Sequence, residues 1–406
     1  MIIPSADLFA SFDEVTQELL DKLGHALLKP DKKRKHDKTY SNVEAGKLLG
    51  ISESYIRRLE REKEGFPKVR RTPNGKRLGW TLEDIHKMRD ILGYNPSRAD
   101  TPVRVACANF KGGCGKTTTV IYLAQRAAQH GYRVLLVDLD PQASLTSTFV
   151  SEPNSPIPQN ATLLPYLEGE CAAEDIQPMP SYWPRIDLLP ANLELHGAEY
   201  ILPLRQREEQ DKGYRLWALL DNVLAEVESG YDIVLIDTPP SLSYLTLNAV
   251  WTAHGMVIPT PAEMLDYIST SLYFRMLSET LFELERANAR MEGYSDEDIP
   301  ENLRKSHAFV RILITKFTGT SSAKEIETWI RMTYRDYVNT NVMLRTAQIE
   351  SSSGELLTAY DRTLRKSDKT LMRAVENINS VMDEIIERAI RPVWFPEETE
   401  KQVEAL

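Results

Sequence analysis

Apolar positions along the chain change their period three times. In SFDEVTQELLDKLGHALL they recur at helical spacing, with Val15, Leu19, Leu23, Ala26 and Leu27 on one face and Ser11 ahead of them as an N-cap. Pro30 and the run DKKRKHDK end this helix. A lone helix of that length must bury its stripe, either on its own domain or on a second copy of the chain. The next stretch, SNVEAGKLLGI, predicts a helix that begins near Ser41 and breaks at Gly50, and SESYIRRLEREKE predicts a second one capped by Ser52. KVRRTPNGKRLGW alternates around Pro73-Asn74-Gly75 and predicts two short strands joined by a turn. TLEDIHKMRDIL adds a third helix with Thr81 as its N-cap, and NPSRADT reads as a polar linker. After Pro102 the pattern changes again. VRVACANF, RVLLVDLD, DIVLIDTPP, MVIPTPA and VRILITKF are short, nearly continuous apolar runs separated by helical segments. Such strands imply an α/β fold, a parallel sheet with helices on both faces. The chain therefore divides into an amphipathic helix at 1–30, a small unit at 38–94 and an α/β domain at 102–406.

Composition narrows the classes. With 406 residues, 42% hydrophobic and 27% charged, the chain is globular, with room for two or three domains. No apolar run approaches the roughly 20 residues that cross a bilayer, and MIIPSADLF has neither the basic region nor the cleavage site of a signal peptide, so a cytoplasmic protein without a membrane partner is expected. Cys107, Cys114 and Cys171 show no C-x-x-C spacing; small buried hydrophobes are expected rather than a disulfide framework or a zinc or iron–sulfur site.

Charge changes the picture more. The net charge is −10, yet residues 31–80 carry fifteen Lys and Arg against seven Asp and Glu, so this stretch is +8 and the remainder −18. A local basic patch on an acidic protein points to a specific nucleic-acid contact. It coincides with a helix, a short glycine-containing turn and a second helix, the spacing of a DNA-binding helix-turn-helix. Ser54, Tyr55, Arg57 and Arg58 are expected on the exposed face of the second helix, able to meet base edges or phosphates. Arg70, Arg71, Lys76 and Arg77 make the following hairpin a basic wing.

The candidate chemistry lies in NFKGGCGKTTT, residues 109–119. An apolar strand precedes it and TTTVIYLAQRAAQH follows as a helix, the context in which backbone N–H groups and the helix dipole bind an anion. Gly112, Gly113 and Gly115 let the backbone wrap phosphate oxygens. Lys116 is placed for the β- and γ-phosphates and the Thr117 hydroxyl for Mg²⁺. The pattern G-x-x-x-x-G-K-[ST] asks for glycine at 110, where this chain has Phe110, and a second lysine, Lys111, stands beside it.

K-G-G-x-G-K-T resembles the deviant Walker A motif of the ParA/MinD ATPases. That resemblance implies a P-loop NTPase fold and an ATP/ADP and Mg²⁺ site built on Lys111, Gly112, Gly113, Cys114, Gly115, Lys116, Thr117 and Thr118. It further implies that Lys111 reaches across a nucleotide-sandwich homodimer to the other subunit's phosphates and stabilises the transition state there, as an arginine finger does. VDLDPQAS resembles the family's second motif, in which Asp140 corresponds to the residue that positions the attacking water, with Asp138 supporting the Mg²⁺ site. YDIVLIDTPPSL resembles the Walker B strand, with Asp237 holding Mg²⁺ through water; carboxylates at strand ends are where open α/β sheets place ligands. IDLLPANLELHGAEY, PTPAEMLDYIS and LITKF fall where the family has similar segments. NVMLRTAQIESSSGELLTAYD resembles its late, DNA-contacting region, and Arg345 is the candidate there, although ESSSGE lacks the lysine of some relatives.

The resemblance extends to long plasmid-partition ParA proteins of the SopA and RepA types, which carry an N-terminal helix and a winged helix-turn-helix. It implies a nucleoid-associated ATP state, a ParB-type centromere-binding partner, non-specific DNA binding and an operator bound for autorepression. Two relatives of the loop are disfavoured. A membrane-associated MinD-type ATPase needs a basic C-terminal amphipathic helix, whereas RPVWFPEETEKQVEAL is acidic and contains prolines. An iron-sulfur reductase needs cysteine ligands at a dimer interface. A nucleotide-gated transcriptional regulator that moves nothing stays open as the alternative.

Overall fold

The computed structural model describes residues 10–12, 14–16, 36–152, 155–208, 215–350, 357–364 and 367–396. Most of the predicted N-terminal helix lies outside them. Residues 10–12 and 14–16 are helical, so Ser11 stands inside the helix rather than ahead of it.

In the small unit the local signals act as expected. Helix α1 (Asn42–Leu49) opens on a capping box between Ser41 and Glu44 and ends on Gly50 at φ 69°, a left-handed cap that only glycine adopts freely. Helix α2 (Glu53–Glu62) is capped by the Ser52 hydroxyl, which accepts from Tyr55 N–H. Strands β1 (Arg70–Arg71) and β2 (Arg77–Gly79) pair antiparallel across the Pro73–Gly75 turn. Helix α3 (Leu82–Leu92) begins on a second capping box, Thr81 with Asp84. Reciprocal backbone bonds between Tyr40 and Trp80, of 2.7 and 2.8 Å, close the unit.

Seven strands form the main sheet: β3 (Val103–Cys107), β4 (Val134–Asp138), β5 (Met179–Pro180), β6 (Ile186–Leu189), β7 (Ile233–Asp237), β8 (Gly255–Pro261) and β9 (Phe309–Thr315). Their order is β5-β6-β4-β7-β3-β8-β9, and every pairing is parallel except that of the edge strand β5. The five longest strands, β3, β4, β7, β8 and the edge strand β9, are those the apolar runs predict. β5 and β6 go unread because they are two and four residues long and β5 contains a proline.

Alternation within β3 divides the core. Val103, Val105 and Cys107 face helix α4 (Lys116–His130) and a C-terminal helix (Lys369–Ile385), whose Leu371, Ile378 and Val381 share that cluster. Ala106 faces the opposite layer, built from the helices Ala198–Glu208, Leu219–Val227, Tyr244–Thr252, Met264–Met291 and Ser321–Tyr334. The small unit joins the first layer: Trp80, Ile85 and Met88 belong to the same buried cluster as Leu123 and Leu136. Buried Arg89 of α3 donates to the backbone oxygens of Leu48, within the unit, and of Gln129, at the end of α4. The polar linker at 95–101 thus joins two units that share one core.

Candidate functional site

The loop between β3 and α4 is folded by its own backbone requirements. Gly113 and Gly115 take φ 71° and 102°, and no side chain caps the first turn of α4. Asn109 braces the loop: its Oδ1 accepts from Lys111 N–H at 3.2 Å and its amide donates to Pro259 O at 2.9 Å. At the far side, Thr315 Oγ1 donates to Cys114 O at 2.7 Å. A cavity of about 500 Å³ opens over this loop. Gly112, Gly113, Gly115, Lys116, Thr117, Thr118 and Asp140 line it, together with Lys316 and a wall formed by Met343, Leu344, Arg345 and Thr346. Its glycine-lined floor at a helix N-terminus, with the Lys116 ammonium, suits a polyphosphate.

Two lysines of the loop have different surroundings. Lys116 is buried in the cavity, and its ammonium donates to Lys111 O at 3.3 Å. Lys111 lies outside the cavity lining; its Nζ pairs at 2.9 Å with Asp266, in the first turn of the helix Met264–Met291.

The three carboxylates also separate. Asp138 and Asp237 end neighbouring strands in register and are fully buried. Asp138 accepts three bonds: Oδ1 from Asp140 N–H, and Oδ2 from Thr146 N–H and Oγ1–H at 2.9 and 2.7 Å. Burial raises its pKa to about 6 against the pull of those Thr146 bonds. Asp237 Oδ1 accepts from Thr238 N–H, while Oδ2 is buried with no partner. Burial and the Asp138 carboxyl push Asp237 well above the usual carboxylate range; Thr117 and Lys116, beside it, oppose the shift. An orphaned, buried carboxylate oxygen next to a threonine hydroxyl is a donor set that fits a hard divalent cation. Asp140 faces the cavity, its Oδ1 accepting from Gln142 N–H. Cys114 is buried and turned from the cavity.

A family model described as an AAA domain matches residues 103–277. The chain is 34% identical over 388 residues to the putative replication protein A of Rhizobium rhizogenes, spanning 91% of each chain. It is 31% identical over 372 residues to protein SopA of Escherichia coli (strain K12), covering 89% of this chain and 91% of that relative. A solved structure described as a partition protein shares the fold, with a TM-score of 0.59 at 19% identity over 90% of this chain and 99% of its own.

The chain belongs to the ParA family of P-loop ATPases.

Sequence reading of this ParA-family chain missed the cavity wall. Nothing in NVMLRT signals proximity to a loop more than 200 residues earlier. It is brought there by a parallel bridge between Phe317 and Leu344, with Phe317 N–H donating to Met343 O and Arg345 N–H to Phe317 O, both 3.0 Å. Arg345, expected among the DNA contacts, stands on this wall.

A second concave site lies in the small unit, a groove of about 1140 Å³ between α2 and the hairpin. Ser54, Arg57, Arg71 and Arg77 line it, as do Arg61 and Lys68, which sequence reading passed over. Spacing could have found Arg61, since 54, 57 and 61 fall on one helical face. Arg70 and Lys76 are exposed on the hairpin outside the groove lining. Tyr55 and Arg58 are also outside it: Tyr55 packs partly against the core, and the Arg58 guanidinium lies 4.9 Å from the centre of its ring. The helical turn that aims Ile56 and Leu59 inward carries Tyr55 toward the core with them. Within the groove Arg57 pairs with Glu53, and Arg77 with Glu60 at 2.8 Å. The Arg57–Glu53 pair is exposed on both sides, and such a pair yields readily to a phosphate. Among the described residues no helix is long and apolar enough to cross a membrane.

Proposed function

We propose that this chain is a slow, Mg²⁺-dependent ATPase of a DNA-partition system, active in the cytoplasm with a ParB-type partner. Its ATP state is a homodimer that binds DNA broadly, while its winged helix-turn-helix reads an operator for autorepression. One observation carries the reading. Lys116 occupies the cavity of its own loop, whereas Lys111, on that same loop, is directed out of it. A cation so placed is turned from its own subunit's phosphate cradle and, once it leaves Asp266, is available to the phosphates of a second copy.

Each residue then has a role. Gly112, Gly113, Gly115 and the first-turn amides of α4 wrap the phosphates, and Lys116 offsets their charge. Thr117 and Asp237 would hold Mg²⁺, the latter through the oxygen that has no other partner. The metal, when bound, supplies charge neutralisation of the β- and γ-phosphates. Asp138, which accepts three hydrogen bonds from Asp140 and Thr146, positions the site beside Asp237 rather than ligating. The Asp140 carboxylate faces the cavity and orients the attacking water. Leaving its own Asp266, Lys111 reaches the partner's nucleotide and stabilises charge there.

The test is fluorescence anisotropy of an arbitrary labelled duplex with ATP, with ADP and with neither, at fixed salt, with Lys116→Ala as control. Binding that requires ATP and is lost in the control supports partition on bulk DNA. The alternative, a nucleotide-gated repressor, draws support from the core shared by the small unit and the ATPase layer. Binding indifferent to nucleotide would favour that repressor and overturn the partition reading.

A further inference from the structure

We propose that Lys316 is a third phosphate-binding lysine of the nucleotide site. The inference rests on the nucleotide reading above and adds to it a residue of the LITKF segment, to which sequence reading gave no role. Lys316 follows the last residue of β9 and has φ 51°, in the left-handed region that a long side chain rarely adopts. Such conformations persist only where the surroundings impose them, and they cluster at functional sites. Here they are imposed from both sides. Thr315 is fixed to the phosphate loop by its bond to Cys114 O, and Phe317 is fixed to the opposite wall through Met343 O and Arg345 N–H. Between these anchors the backbone turns the Lys316 side chain over the loop. A Cβ placed at Gly113 would stand 3.8 Å from Lys316 Nζ.

The charge at this place has no internal explanation. Lys111 pairs with Asp266, but among the described residues no carboxylate pairs with Lys316, which is exposed and lines the cavity. An ammonium offers three donors and no acceptor on a compact charge. Held beside loop amides that already favour an anion, it suits the phosphate chain of a nucleoside di- or triphosphate more than the edge of a base.

Titration of fluorescent ATP and ADP analogues into the full chain tests this, with Lys316→Asn, Lys316→Arg and Lys116→Ala compared. Asparagine tolerates the left-handed backbone, so Lys316→Asn removes the charge while the apo protein keeps its thermal stability. The expected result is an affinity loss of about tenfold for both nucleotides in Lys316→Asn, the worth of one charge-assisted contact, and recovery to within about threefold in Lys316→Arg. The variant's affinity should also fall less steeply with salt. Unchanged affinity in Lys316→Asn would overturn the proposal. So would an equal loss for adenosine, which has no phosphates, or a drop in apo stability that accounts for the weaker binding. If the unaltered chain binds ATP and Lys116→Ala does not, the nucleotide reading stands whatever Lys316→Asn does; if the unaltered chain binds no nucleotide, both fall.

Discussion

Lys111 and Lys116 are five residues apart on one loop, yet one pairs with Asp266 and the other lies in the cavity. Their substitutions should therefore separate. Lys116→Ala is expected to weaken ATP binding by about a hundredfold or more, read by nucleotide titration, because a buried charge-assisted contact is lost. Lys111→Ala should keep ATP affinity within a few-fold and lose ATP-dependent dimerisation, read by light scattering with and without ATP. Asp140→Ala should bind ATP and lower kcat by roughly 10²–10³-fold, the worth of a water-positioning carboxylate. Turnover at the unaltered rate would remove Asp140 from that role. The nucleotide loop was legible at this scale because its glycines and lysines are contiguous. The engagement of Asp138 with Thr146 was not, since it depends on the turn of the chain eight residues later.

At the scale of elements, the short turn between α1 and α2 depends on Gly46. A Cβ there would stand 2.6 Å from Ile51 O, a backbone atom that cannot step aside. Gly46→Ala should cost about 2–3 kcal/mol in urea unfolding and weaken operator binding with it. Replacing Arg57 and Arg61 together should remove operator binding while ATP hydrolysis is nearly unchanged, measured on the same preparation. The C-terminal helix Lys369–Ile385 is fixed to α4 by Asp383, which accepts from Arg126 at 2.6 and 2.7 Å and pairs with His130 at 2.8 Å. Burial alone would raise the Asp383 pKa, but the His130 and Arg126 hydrogen bonds outweigh it and hold it at about 2. A carboxyl depressed in the folded state stabilises above its unfolded pKa, near 4. That contribution should be retained at neutral pH and lost as pH falls from about 4 to about 2, a slope that Asp383→Asn abolishes in acid unfolding. Caps, turn and the five longest strands were readable because each is specified within a few residues. β6 and the placement of Tyr55 were not, because tertiary packing decides them.

On the scale of the whole molecule, helix α4 runs from the phosphate loop to the small unit. It is fifteen residues long, about 22 Å of rod at 1.5 Å per residue. Its first turn borders the phosphate loop; near its last, Gln129 accepts from Arg89 of α3, and a Cβ at Gly131 would meet the Arg89 side chain at 3.0 Å. Residues 95–101 read as a polar linker in the sequence, and the buried cluster running from Trp80 to Leu123 makes the two units that it joins one. Local sequence could not reveal this, since Trp80, Met88 and Leu123 each read as core of their own element.

That continuity bears on inheritance. A DNA reader joined to its motor by a tether can be exchanged for another by recombination at the tether. Here a graft at 95–101 would import a surface never shaped to Leu123 or Gln129 and leave apolar area uncovered. Operator preference and nucleotide response should therefore be passed on together, and chimaeras should fold only when α3 and α4 come from the same parent.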